Sequence, residues 1–161
     1  MQKTTVINWH EYFMGIALLS SFRSKDPNTK VGACIVNEYK RIVGIGYNGM
    51  PHGCSDDVFP WARDGEYIDQ KYLYVVHAEL NAILNATGSV RGCSIYVALF
   101  PCNECCKAII QSGISKIYYI SDKYADTDSV KAGKRMLDAA GVEYEQFTTN
   151  LKELSLNFQG E

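Results

Sequence analysis

The chain has 161 residues, a length within the range of one domain, and 47% of them are hydrophobic, enough for a substantial core. A formal net charge of −2 provides no global basic field for a long nucleic acid, so an anionic ligand must rely on a local cluster of donors. No apolar run approaches the ~20 residues of a membrane span, and the opening MQKTTVINWHEYF lacks the unbroken apolar stretch and cleavage site of a signal peptide.

The expectation is therefore a soluble, cytoplasmic protein with neither a membrane nor a nucleic acid as partner. In a reducing compartment, the clustered members of its six cysteines suit metal binding better than disulfides.

In chain order, residues 8–22 read as a helix. Asn8 is placed as N-cap with Glu11 at the capping-box position, and Trp9, Phe13, Ile16, Ala17 and Leu19 form an apolar face. The helix ends before SKDPN, where Pro27 disfavours helical backbone at Asp26. VGACIVN (31–37) and RIVGIGYN (41–48) are β-rich runs joined by a short polar link, which predicts an antiparallel hairpin. Residues 49–74 are too long for a plain connection and read as a functional loop, with Arg63, Asp64 and Glu66 on a solvated surface.

Helix and strand then alternate: helices 78–87, 103–112 and 129–140 precede strands 93–98, 116–120 and 142–147. Gly88, Gly113 and Gly141 stand where helix stops belong. Such units give parallel neighbours. The predicted architecture is an α/β, three-layer α-β-α fold: a five-strand mixed sheet, antiparallel at its first hairpin, with helices on both faces. It spans residues 1–161 as one domain, with a core of about 8–147 and a polar, peripheral tail.

Chemistry concentrates in two places. Cys102 and Cys105 form a C-x-x-C pair after Pro101 and at the start of a helix, where unpaired N–H groups favour thiolates. His77 begins another helix. If the two starts face each other, one imidazole and two thiolates converge, and three protein ligands leave a tetrahedral zinc open for water. Cys106 lies about 100° round the helix from Cys105 and should turn into packing. Cys34 and Cys93 read as buried strand residues.

C-x-x-C alone is equally the mark of a structural zinc. Glu79 tips the reading, because a carboxylate beside Leu80 and Ile83 is poorly placed unless it moves protons for a zinc-activated water. The ordered H-x-E…P-C-x-x-C combination is the signature of zinc deaminases.

HAELNAI, YVALFPCNEC, SKDPNTKVGACIVN, GIGYNGMPHGCSDD and SDKY together resemble the zinc-dependent cytidine/deoxycytidylate deaminase family over about residues 8–147. GYNGMP and SDKY resemble its eukaryotic-type branch acting on dCMP. The resemblance implies a cytidine-deaminase-like fold and hydrolytic deamination of dCMP to dUMP, which feeds thymidylate synthesis. It also implies a homohexamer activated by dCTP with Mg²⁺ and inhibited by dTTP.

Carried onto this chain, it makes His77, Cys102 and Cys105 the Zn²⁺ ligands and Glu79 the proton shuttle. Asn48 would contact the substrate sugar, Ala78 would contact the substrate, and Ser24, Lys25 and Tyr124 would recognise the 5′-phosphate. Asn48, Gly49, Met50 and Pro51 would form the regulatory nucleotide loop. Without the resemblance, RSKDPN reads as a solvated helix end, Tyr124 as a half-buried loop aromatic and GYNG as a tight turn. SKDPNTK lacks the extra cysteines with which some family members bind a second metal, so one zinc per subunit is expected.

Overall fold

The computed structural model of the chain describes residues 6–160. The first five residues, part of the opening stretch read above as carrying no signal peptide, and Glu161 lie outside them. Helix α1 (Trp9–Ser21) starts at Asn8 with the complete capping box: the Asn8 side chain accepts from the Glu11 amide at 2.8 Å and Glu11 accepts from the Asn8 amide at 2.9 Å. Strands β1 (Gly32–Val36) and β2 (Ile42–Tyr47) form the antiparallel hairpin.

The alternating half follows as α2 (Ala78–Leu84), β3 (Ser94–Leu99), α3 (Asn103–Ser112), β4 (Lys116–Ser121), α4 (Asp128–Ala140) and β5 (Glu143–Gln146). The strands lie in the order β2-β1-β3-β4-β5. β1 is antiparallel to both its neighbours, and β3, β4 and β5 are mutually parallel.

Strand periodicity divides the core between two faces. Cys34, Val36 and Tyr96 point toward α1, where they meet Phe13, Met14 and Ala17. Ala33, Ile35, Ile95 and Val97 point the other way, toward Ala82, Ile109 and Leu137 of α2, α3 and α4. The sheet is thus the middle of three layers, one helix on one side and three on the other, as expected.

Three details differ from the expectation. On α1, Met14 is buried while Trp9 (52% exposed) and Leu19 (44%) are not, so the helix is apolar on its outer side as well. Helix α2 ends at Leu84 rather than running to Gly88, because the Thr87 amide leaves the helix path to bond the Val43 carbonyl of β2 at 3.0 Å. Gly113 and Gly141 do terminate α3 and α4 in left-handed backbone. The tail is peripheral but not wholly polar: Leu154 lies against α1 at Gly15, and Leu151, Leu156 and Phe158 are exposed.

This topology gathers one end of the sheet. The start of β1 and the ends of β2, β3 and β4 all lie there, as the register pairs Gly32 with Tyr47 and Leu99 with Ser121. Helix α2 crosses β2 in close contact, and glycine makes that possible. A methyl group on Gly46 would collide with the Ala82 amide and the Ala78 carbonyl. The Asn81 side chain donates to the Tyr47 carbonyl at 2.8 Å and pins the same contact. Gly46→Ala should therefore cost about 2–3 kcal/mol, read as a lower urea midpoint. Gly88→Ala, where an added methyl meets nothing within 4 Å, should leave the midpoint unchanged or slightly raised.

Candidate active site

His77 and Cys102 occupy equivalent places on two helices. Each is an extended N-cap, of α2 and of α3 respectively. The two helix starts face each other as the sequence suggests. His77 Nδ1 lies 3.4 Å from Cys102 Sγ and 3.5 Å from Cys105 Sγ, and the three donor atoms all lie within 4.8 Å of one another. Bond lengths of ~2.0 Å to nitrogen and ~2.3 Å to sulfur give a tetrahedral zinc site nitrogen–sulfur edges of about 3.5 Å. The donor set and its spacing fit that ion.

Among the described residues, this is the group of His, Cys, Asp and Glu side chains that could hold a metal. Cys106 is fully buried and directs its thiol toward the Pro101 carbonyl at 3.7 Å, away from the group.

Glu79 stands in the first turn of α2, 5% exposed, with Oε2 3.6 Å from Cys105 Sγ. Burial pushes its carboxyl above the usual range, an effect that the nearby His77 only partly offsets. The thiols divide. Cys102 is held well below the ordinary thiol range by the hydrogen bond from Cys105 and by His77, against the opposing effect of burial; Cys105 is pushed up by its neighbouring sulfur and by burial. His77 is raised, chiefly by its bond to Cys102.

Above this group opens a cavity of about 410 Å³. His77, Ala78 and Glu79 form its floor with Cys102, and Leu99 and Phe100 form a wall at the end of β3. Phe100 is held by edge-on rings of Tyr119 and Tyr144. Asn48 and Tyr124 also line the cavity.

Ser24 and Lys25 do not line the cavity. The Ser24 hydroxyl is buried behind it and donates to the Asn48 carbonyl at 2.9 Å, while Lys25 points outward and pairs with Asp56 at 2.8 Å. The segment leaves α1 in a turn that buries alternate residues, so Ser24 and Asp26 go in and Lys25 goes out. Of the regulatory-loop residues, Asn48 lies in the cavity wall. Gly49 bridges to Val76, next to His77, while Met50 and Pro51 are half-buried beyond it.

The cations at the cavity are instead Arg63 and Lys71, both from the long loop. Arg63, expected on a solvated surface, is exposed at the mouth beside Tyr72 and Tyr124. Lys71 is buried and paired with Asp26. The signal that could have found Lys71 is an isolated lysine within an aromatic run, Lys71-Tyr72-Leu73-Tyr74, where an idle charge is out of place.

An α-β-α sheet with a histidine, two cysteines and a buried glutamate gathered at one end defines the class of zinc-dependent hydrolytic deaminases. The comparisons with known proteins agree. The family model for the cytidine and deoxycytidylate deaminase zinc-binding region matches residues 7–121, and the chain belongs to this family.

It is 56% identical over 154 residues to deoxycytidylate deaminase of Homo sapiens, covering 94% of this chain and 86% of that one. It is 54% identical to a probable deoxycytidylate deaminase of Drosophila melanogaster, covering 94% and 78%. Among solved structures, it resembles dCMP deaminase of the cyanophage S-TIM5 in complex with dCMP and dUMP. That likeness has 30% identity and a TM-score of 0.68, covering 85% of this chain and 95% of that one.

Zinc analysis of the purified protein by mass spectrometry should give one equivalent per chain. Cys102→Ala should remove it and Cys106→Ala should retain it. Acidification should release the metal, because imidazole and thiolate bind it only when deprotonated. Full metal content in Cys102→Ala would exclude Cys102 as a ligand.

Proposed function

We propose that the chain hydrolyses dCMP to dUMP and ammonia, with His77, Cys102 and Cys105 holding one zinc ion and Glu79 moving the protons. The observation that carries this reading is the buried Glu79 carboxylate beside the three donors, on the floor of a cavity with an arginine at its mouth. The relatives named deoxycytidylate deaminase and the phage enzyme bound to dCMP and dUMP support the choice of substrate.

When bound, zinc supplies a nucleophilic water at neutral pH. The Glu79 carboxylate takes the proton that the water gives up as the water oxygen adds to C4, and passes it to N3 of the cytosine ring. It then takes the remaining proton of the added hydroxyl and hands it to the amine, so that the C4–N bond to the amine breaks, ammonia leaves and the C4 carbonyl forms. A buried carboxyl with a raised proton affinity suits both directions of this transfer. Leu99 and Phe100 hold the ring against the floor and exclude bulk water. The backbone amides of Ala78, first residue of α2, and of Cys102, the N-cap of α3, provide donors for charge that grows as water adds.

At the sugar, the Asn48 carboxamide is fixed by the protein. Its nitrogen donates to the Thr29 carbonyl at 2.9 Å, and its oxygen accepts from the Val31 amide at 2.9 Å, leaving a second lone pair for a sugar hydroxyl. The 5′-phosphate falls to Arg63 and Tyr124 at the mouth, with Ser24 acting only through the Asn48 backbone.

Regulation by dCTP with Mg²⁺ and by dTTP, through Asn48, Gly49, Met50 and Pro51, belongs to the same proposal. It is supported by the position of this segment: Asn48 is in the cavity wall and Gly49 is bridged to Val76, so a ligand on the loop touches both ends of the site. The proposal takes the assembly to be a homohexamer; the apolar outer side of α1, where Trp9, Tyr12, Leu18, Leu19 and Phe22 are exposed, supports self-association without fixing the number of copies. Six free cysteines suit a reducing, cytoplasmic setting in which dUMP supplies thymidylate synthesis.

The decisive assay compares dCMP, CMP, dCTP and deoxycytidine as substrates, each with and without dCTP–Mg²⁺ and dTTP. Turnover confined to dCMP, sigmoidal alone and hyperbolic with dCTP, is expected. Equal turnover of deoxycytidine would overturn the phosphate assignment, and hyperbolic kinetics indifferent to both triphosphates would overturn the regulation. Glu79→Gln should keep its zinc and lose at least about 10²-fold in kcat.

A further inference from the structure

The long loop leaves the sheet after Asn48 and returns at Val76, where Gly49 and Val76 exchange backbone bonds of 3.1 and 2.8 Å. Between those ends it is lightly fastened. Lys25–Asp56 is a solvent-exposed pair, and such pairs hold little. The Trp61 indole and the Tyr74 hydroxyl bond only within the loop itself.

One contact is different in kind. Lys71 Nζ lies 2.5 Å from Asp26 Oδ2, with side-chain exposures of 10% and 1%. Asp26 belongs to a separate segment, between α1 and β1. Its carboxylate also accepts from the Asn28 and Thr29 amides at 2.8 and 3.2 Å and from Asn48 Nδ2 at 3.4 Å. A single carboxylate therefore ties together three parts of the cavity wall. Burial works against its charge, but Lys71 and the two amides outweigh that and hold it below the usual aspartate range.

The proton chemistry on the cavity floor makes no use of this pair. A buried ion pair is not an efficient source of stability either, since apolar residues of similar size commonly serve as well. What it does supply is position: Lys71 lies in the same loop as Arg63 and Tyr72 at the mouth.

We propose that Asp26–Lys71 is a latch that fastens the 49–76 loop across the cavity, and that the latched loop is the nucleotide-binding state. Asp26 and Lys71 are positioning residues: they act through Arg63, Tyr72 and the Asn48 carboxamide. The proposal rests on the reading of the cavity as a nucleoside monophosphate site. When only a fraction of the molecules is binding-competent, apparent affinity falls by that fraction.

The test uses the zinc-loaded full chain and the variant Asp26→Asn, whose amide group meets the Lys71 ammonium donor to donor. The sign of the effect separates this proposal from simple electrostatics. Removing a negative charge near a phosphate would lower KM for dCMP; unlatching the loop raises it.

A rise in KM of about tenfold or more is expected if the latched fraction falls to a tenth, with a smaller change in kcat. Hydrogen exchange of the 52–74 amides should accelerate in the absence of nucleotide while β1 and β3 stay protected. The double variant Asp26→Asn/Lys71→Met leaves no lone buried charge and should recover thermal stability without recovering KM or loop protection; it also carries the test if the single variant does not fold. A pair that serves only stability would recover all three together.

Unchanged or lowered KM with an unchanged loop overturns the latch. If the wild-type enzyme does not turn over dCMP, the substrate reading fails instead, and loop exchange in the variants still decides the latch.

Discussion

The site depends on holding several groups that carry or share negative charge a few ångströms apart in a poorly solvated place. An imidazole, a carboxylate and the Cys102 sulfur lie on the cavity floor with the buried Cys105 sulfur beside them. Burial raises the proton affinity of Glu79, the neighbouring sulfur and burial raise that of Cys105, and Cys102 is drawn down. Two thiolates and a carboxylate this close repel one another strongly. A divalent cation held by the three donors would reverse that balance, because its charge would compensate both sulfurs and, under the proposed function, leave Glu79 to exchange a proton. The fold's task is to keep the donors together, and it uses two helix starts to do so: His77 and Cys102 are both N-caps, anchored where the backbone direction is fixed by the first helical turn.

The sheet makes the two starts meet. Because β1 is antiparallel to β3 while β4 and β5 are parallel to it, the exit of β2, the exit of β3 and the entry to β1 share one end of the sheet. Helix α2 then needs to approach β2 closely enough to bring His77 and Glu79 over that end, and Gly46 provides the room. Pro101 and Cys102 follow directly from β3, so α3 starts at the same level. Close backbone packing on one side of the site and direct chain continuity on the other set the distances between the donors.

What was legible in the sequence was local. The capping box at Asn8 and Glu11, the αL stops at Gly113 and Gly141 and the helix starts at His77 and Cys102 depend on residues within a few positions of one another. The alternation of helices with strands carried the layered sheet. What was not legible was non-local. Lys71 finds its partner 45 positions away in Asp26, and no periodicity marks such a pairing. Lys25 offered a cation at a plausible place, but the turn after α1 sends it outward to Asp56. Helix α2 ends early because Val43, a strand residue, captures the Thr87 amide, a competition that local helix signals do not contain. Arg63 looked like one charge among several on a polar loop; its place at the cavity mouth follows from how the loop folds back.

The same loop argues for a small substrate. Between Gly49 and Tyr74 it carries five acidic residues, Asp56, Asp57, Asp64, Glu66 and Asp69, against two basic ones, Arg63 and Lys71. Lys71 is committed to Asp26, so Arg63 is the loop's available cation. A nucleic acid strand brings a phosphate at every step and would meet this acidic surface without the basic track that polymer binding needs. Under the proposed function, a nucleoside monophosphate, with its charge at one end, places its base on the donor floor beneath Leu99 and Phe100 and reaches a single arginine at the mouth. On the same reading, the surrounding carboxylates act as selection against longer ligands, and the placing of the apolar wall over the donor floor at one end and Arg63 at the other determines which end of the substrate enters.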